Sequence, residues 1–208
     1  MERSAQEQLL QRRETPAGLA ALPHAWAPTH DVQFYAGEDK LAASVARFVV
    51  QGVRVGQPMV VIATAAHRTA FKGVMRAMGI EPDDLVEGRD VVWLDAHDTL
   101  SAFMEGPSPN RELFQATVGS VFERLMRDRR YVIVRAYGEM VDILWQQGKH
   151  EAAIELEELW NELAATYSFS LLCAYSVDGV LKGDCRGVDL ICGKHARVLP
   201  SEPGIAAA

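Results

Sequence analysis

Two hydrophobic rhythms alternate along this chain. Short apolar runs of strand type occur at Val32-Gln33-Phe34-Tyr35, "MVVIAT" (59–64), "DVVWL" (90–94), "YVIVRAY" (131–137) and "FSLLCAY" (169–175). Between them, apolar residues recur at helical spacing: Leu41, Val45, Phe48, Val49 and Gly52, then Phe71, Val74, Met75 and Met78, then Phe114, Val118, Val121, Phe122 and Leu125. Gly56 with Pro58, and Gly79 with Pro82, mark where helices stop. Asp95 to Met104 reads as a short helix or loop, and two helices are expected near 139–147 and 150–166. Strands separated by helices predict an α/β domain with a mostly parallel sheet of five or more strands and helices on both faces. Residues 1–28 read as an irregular extension broken by Pro16, Pro23 and Pro28, residues 29–200 as the folded domain, and 201–208 as a mobile tail. The segment 176–190, rich in glycine and aspartate, gives no clear element.

In such a sheet, ligands sit outside the carboxyl ends of the strands. Those ends carry Tyr35-Ala36-Gly37, Thr64-Ala65-Ala66-His67, Asp95-Ala96-His97, Tyr137-Gly138-Glu139 and Tyr175-Ser176. Glu139 has two readings of equal weight. A carboxylate in the first turn of a helix is favoured by the exposed N–H groups, by roughly 0.3–1 kcal/mol, which alone justifies it. The same position lies on the ligand rim, beside Tyr137 and one turn before Asp142.

Charge narrows the function classes. A net charge of −7 gives no bulk attraction to nucleic acid or an anionic membrane. The basic cluster Arg124, Arg127, Arg129 and Arg130 falls at a predicted helix end, where cations offset the dipole. Three cysteines, an odd number in no disulfide-like framework, point to a reducing compartment. With no apolar segment of signal-peptide or membrane-spanning length, the expected location is cytoplasmic.

The catalytic and cofactor motifs searched for do not match. A phosphate cradle needs G-x-x-x-x-G-K-[ST], whereas "YAGEDKLAAS" supplies Gly37 and then Glu38 and Asp39, negative charge where phosphates need the opposite; Asp39 reads as an N-cap or first-turn acid. G-x-S-x-G, H-E-x-x-H and G-x-G-x-x-G do not occur. His67 and His97 follow successive strands and are each able to cap a helix or meet on the rim. Cys192 and His195 form half of a zinc-type pattern, a weak metal candidate without a second pair. Cys173, inside an apolar strand, reads as a small hydrophobe. The helix at 150–166 presents Ala152, Leu156, Leu159, Trp160, Leu163 and Tyr167 on one face and Glu151, Glu155, Glu158 and Glu162 on the other. Such an acidic stripe is a solvated face or a dock for a basic partner.

Several stretches together resemble the MEDS family, named for methanogen, methylotroph and DcmR sensory domains. They are His30, Phe34, Tyr35, Asp39 and Leu41 in the first unit, "GQPMVVIATAAHR" (56–68), "AYGEMVDILWQQGKHEAAIELEELWNEL" (136–163), "SLLCAY" (170–175) and "ICGKHARVLP" (191–200). The resemblance covers about residues 29 to 200, and its most specific block is the third stretch. It implies a sensory domain with a RecA-like core, related to KaiC-type ATPases, whose phosphate loop has degenerated. It further implies sensing of hydrocarbon-derived compounds and association with DNA-binding or histidine-kinase modules. Carried onto this chain, the candidate ligand residues are Tyr35, Thr64, His67, Tyr137, Glu139, Trp145 and Cys173.

The expectation is a non-enzymatic regulatory domain that needs no cofactor. It binds a small ligand or a signalling partner at the strand ends. With no output module in the sequence, it acts on a separate protein such as a histidine kinase, response regulator or transcription regulator. Direct contact with nucleic acid or membrane is not expected; a homo-oligomer is compatible. Two rival readings stand beside it. One is a nucleotide-binding protein or residual ATPase in which Glu139 activates water. The other is an adaptor for a kinase or anti-sigma-type regulator that docks through the acidic stripe and the N-terminal extension.

Overall fold

The computed structural model describes residues 28–200 apart from 88–89, 128, 130–131 and 182–185. The expected extension at 1–27, the tail at 201–208, Arg130 and Cys185 therefore lie outside the described residues. Six strands form one sheet: β1 (His30–Tyr35), β2 (Met59–Ala63), β3 (Val91–Asp95), β6 (Val134–Gly138), β7 (Phe169–Ser176) and β8 (Arg197–Leu199). Every pairing is parallel, and the order across the sheet is β3-β2-β6-β7-β1-β8. A separate two-stranded ribbon joins β4 (Met104–Glu105) to β5 (Ser108–Pro109).

The helices are α1 (Glu38–Arg54), α2 (Ala65–Ala77), α3 (Pro82–Glu87) and α4 (Ala96–Phe103) in the first half. After the ribbon come α5 (Arg111–Phe114), a π-helical turn over Gln115–Gly119 and α6 (Ser120–Met126). The second half adds α7 (Met140–Gln146), α8 (His150–Thr166), α9 (Val177–Leu181) and α10 (Arg186–Lys194). The glycine stops act as their positions predict: Gly56 and Gly79 follow α1 and α2 with φ of 69° and 78°, a conformation a Cβ disfavours.

Strand order explains the two-layer packing. From β1 and β2 the chain steps one way across the sheet; from β3, β6 and β7 it steps the other way. Right-handed crossovers then place the two sets of helices on opposite faces. Two cores result. One holds Leu41, Val45 and Val49 of α1 with Phe71 and Met75 of α2, against Val61, Tyr137 and Leu172. The other gathers Phe103, Phe114, Phe122, Trp160 and Phe169, with Phe34, Ile62, Ala136 and Tyr175 from the sheet. Alternation along each strand feeds both: Val60 and Ile62 go to one core, Met59, Val61 and Ala63 to the other.

Three expectations shift. The fourth strand begins at Val134 rather than 131, where its register opens opposite Phe169, and Val132 and Ile133 are half-buried ahead of it. The sheet gains a sixth strand, β8, three residues long and half-buried, too short for an alternation signal. Segment 176–190 carries α9 and the start of α10, separated by 182–185.

Candidate functional site

Neighbouring strands whose chains leave in opposite directions open a crevice at their carboxyl ends. The strand order creates two such points, between β2 and β6 and between β7 and β1. One buried carboxylate spans each, Glu139 at the N-cap of α7 and Asp142 in its first turn.

Glu139 spans the first. It occupies the N-cap position of α7, yet its side chain makes no cap hydrogen bond. It turns across to β2 instead: its Oε1 accepts from the Thr64 N–H at 2.6 Å. Its Oε2 accepts from His67 Nδ1 at 2.6 Å and from the Tyr137 hydroxyl at 3.2 Å. Glu139 is 3 % exposed. His67 also holds the exposed Glu38 carboxylate, at the start of α1, through Nε2. With a carboxylate on each ring nitrogen, both nitrogens act as donors, which is the imidazolium form. The Glu139 hydrogen bond, against the opposing effect of burial, raises the His67 pKa from 6.5 to about 9. Thr64 caps α2 by accepting the His67 N–H, so the backbone fixes the histidine's position.

Asp142 spans the second. Its Oδ1 accepts from the Ser176 N–H at 3.1 Å at the end of β7. Its Oδ2 accepts from the Tyr35 hydroxyl at 3.0 Å at the end of β1, and from Gln146 Nε2 at 2.8 Å. Burial raises the Asp142 pKa, partly offset by these donors, and burial likewise pushes the Tyr35 and Tyr137 hydroxyls up, keeping both as donors. Beside Asp142 lies a cavity of about 320 Å³ lined by Trp145, Gln146, Gly148, His150, Ser176, Asp178 and Gly179. The Trp145 ring stacks on His150 at 4.2 Å, and its buried indole N–H has no hydrogen-bond partner among the described residues.

Of the candidate ligand residues, the structure brings Thr64, His67, Tyr137 and Glu139 together over β2 and β6, places Tyr35 beside Asp142, and sets Trp145 in the cavity wall. Cys173 sits apart, three residues before the end of β7 and fully buried. His97 is exposed; its backbone N–H is taken by Asp95, which caps α4 and binds Arg68. The connection from β1 to α1 is Ala36-Gly37 alone, too short to wrap a phosphate.

The acidic face of α8 is exposed as its pattern predicts, with Glu158 held by Lys194 and Glu162 by Arg111. Glu157, not among the residues the sequence singles out, is 0 % exposed. Its signal was present: Ala153, Glu157 and Trp160 share one face at helical spacing, so a carboxylate falls on the apolar side. Around it gather His30, Cys173 and His195. Tyr175 donates to its Oε1 at 2.7 Å, and His30 Nε2 lies 3.2 Å from its Oε2. Burial raises the Glu157 pKa, but His195 and His30 overcome that and hold it well below the usual carboxylate range. The metal candidate Cys192–His195 is thereby divided: His195 enters this cluster, while Cys192 is half-buried outside it. A second groove, of about 540 Å³, lies between α5 and α8 around Phe114, Leu159 and Leu163.

A family model described as MEDS, the methanogen/methylotroph and DcmR sensory domain, matches residues 29–186. No curated protein sequence matches this chain. Among the described residues no helix is long and apolar enough to cross a membrane.

Proposed function

The chain belongs to the MEDS family of sensory domains, and from that premise we propose that it senses a small neutral molecule in the cavity beside Asp142. The observation that carries this reading is Asp142 itself: Gln146 and Ser176, which bond to it, also line the cavity. A ligand that recruits either residue changes the bonding of a carboxylate that also holds Tyr35, and so the junction of β1 with α1. The lining, with the Trp145 ring and two glycines beside Gln146, His150, Ser176 and Asp178, suits a compact molecule that pairs an apolar part with polar groups, as a functionalised hydrocarbon derivative does. The response passes to a signalling partner, for which the exposed carboxylates of α8 are the candidate surface.

Two features support a non-enzymatic role over nucleotide chemistry. The two oxygens of Glu139 already take three donors in a nearly closed site, which engages the carboxylate in tying the end of β2 to β6 rather than leaving it free as a base. Three carboxylates, Glu38, Glu139 and Asp142, against the single His67 imidazolium also leave the rim net negative where a triphosphate would have to lie.

Native mass spectrometry of protein from its own host, followed by calorimetry with the recovered compound, tests the reading. A bound small molecule whose affinity falls at least tenfold in Gln146→Ala is expected. Binding of ATP alone, weakened by Glu139→Gln, would overturn it in favour of a nucleotide-dependent protein.

A further inference from the structure

His30 at the head of β1, Cys173 within β7, Glu157 on α8 and His195 after α10 bring one ligand atom each to a single point. The four atoms lie within 4.8 Å of one another. His30 Nε2 is 3.4 Å from Cys173 Sγ and 3.2 Å from Glu157 Oε2; His195 Nε2 is 3.4 Å from Glu157 Oε1. A tetrahedron with metal–ligand bonds of roughly 2.1 Å has edges of about 3.4 Å. We propose that these four side chains are the ligands of one buried divalent transition-metal ion of the zinc class.

The surroundings orient the ligands as a metal requires. Asn161 donates its Nδ2 to the Lys194 carbonyl at 3.1 Å, so its Oδ1 is the acceptor facing His30 Nδ1 at 2.9 Å. His30 therefore carries its proton on Nδ1 and presents Nε2 to the centre. His195 does the same: its Nδ1 donates to the Ile191 carbonyl at 2.7 Å. Its Nε2, fully buried and aimed into the cluster, has no hydrogen-bond partner among the described residues. Imidazoles tied back through the far nitrogen, and a carboxylate held by the Tyr175 hydroxyl, form the outer support that metal ligands characteristically have.

Charge agrees with geometry. Two neutral imidazoles, one thiolate and one carboxylate carry two negative charges, which a divalent ion cancels inside an apolar core. Binding replaces the Cys173 S–H bond by a metal–sulfur bond and releases that proton to solvent. Four protein ligands complete a tetrahedral shell, so the ion has a structural part, fastening α10 and β8 to α8 and β7. The soft sulfur with two imidazoles selects zinc-like ions over magnesium or calcium.

The test uses the full chain, stripped with a chelator and titrated with cobalt(II), then zinc(II). One equivalent of cobalt should give tetrahedral d–d bands and a thiolate-to-cobalt charge-transfer band. That band should vanish in Cys173→Ala and persist in Cys192→Ser. Zinc should displace cobalt and raise the melting temperature, whereas magnesium should do neither. Asn161→Ala, exposed and outside the ligand set, should weaken zinc by about 10–100-fold through the His30 orientation, which gives a reading even if Cys173→Ala does not fold. If chelation unfolds the wild type, recovery with zinc is the same positive result. No cobalt spectrum in the wild type, or a charge-transfer band that survives Cys173→Ala, overturns the assignment and leaves a proton-bridged His–Glu–His cluster.

Discussion

Glu139 takes its Thr64, His67 and Tyr137 donors in a buried site, so removing it strands the fully buried Tyr137 hydroxyl and leaves the half-buried His67 with Glu38 alone. Glu139→Ala should lower the unfolding free energy by about 3–5 kcal/mol, as breaking one side of a buried ionic pair does. Glu139→Gln keeps an acceptor for Thr64 and should cost less, about 1–3 kcal/mol; urea unfolding measures both. NMR titration of Glu139→Gln should find the His67 pKa moved back from about 9 toward 6.5. The same shift sets a pH dependence. Because folding raises this pKa, the contribution of His67 is fully present below 6.5 and is lost as pH rises through about 9. The stability gap between wild type and His67→Gln should therefore be widest below pH 6.5 and close between there and pH 9. A gap that widens with pH would contradict the imidazolium bridge. At this scale the rim was legible, because a strand-end residue is placed by the strand itself. The direction of the Glu139 side chain was not: capping its own helix and reaching to β2 are identical in sequence, and the two donors on the far side, Thr64 and His67, decide between them.

Among elements, α10 meets α7 at a contact that leaves no room for a side chain. A Cβ on Gly187 would lie 2.5 Å from Trp145 Cζ2 and 2.8 Å from Cη2. These are rigid ring atoms, and the ring is backed by His150 on its stacked face and Tyr175 at its edge. Gly187→Ala should therefore cost about 1–3 kcal/mol and disturb the cavity that Trp145 lines. Gly193→Ala, on the same helix with open space around the new methyl, is the control and should be nearly neutral. Thermal melts of the pair check this. Helices α1, α2 and α8 were readable from their apolar spacing because each lies against one face of the sheet. β8 was not, because it is set by pairing with β1 and is too short to leave a periodic trace; the π-helical turn was hidden because Phe114, Val118 and Val121 keep a spacing that an unbroken α-helix also has. Glu157 shows the converse. A charge on an apolar stripe was visible, but its meaning came from His30 and His195, more than a hundred and nearly forty residues away in sequence.

For the whole molecule, the sheet grades from centre to edge. Strands β2 and β6 are buried throughout and β7 all but its last residue, whereas β3 is half-buried after Val91 and β8 along its length. The aromatic cluster joins the centre to α5, α6 and α8 through Trp160, whose ring centroid lies 5.3 Å from Phe114 and 6.0 Å from Phe169. The number of parallel units was legible in the sequence; their order, and hence the two crevices, was not, since strand pairing between distant segments leaves no local mark. That order now predicts how the molecule opens. Local unfolding draws on the least buried elements, while amides at the centre exchange only through global unfolding. Hydrogen exchange should be slowest at 59–63, 134–138 and 169–175, and faster at 197–199 and in α3. Zinc adds a discriminating test: it fastens His195 between α10 and β8, so it should slow exchange at 186–199, where local opening dominates, by more than the uniform slowing it gives amides that exchange by global unfolding, α1 and α2 included. Slowing at 186–199 no greater than that shared by the rest of the domain would mean that the ion does not hold this segment locally. Slowing at β8 that also requires Cys173 would tie the edge of the sheet to the buried cluster.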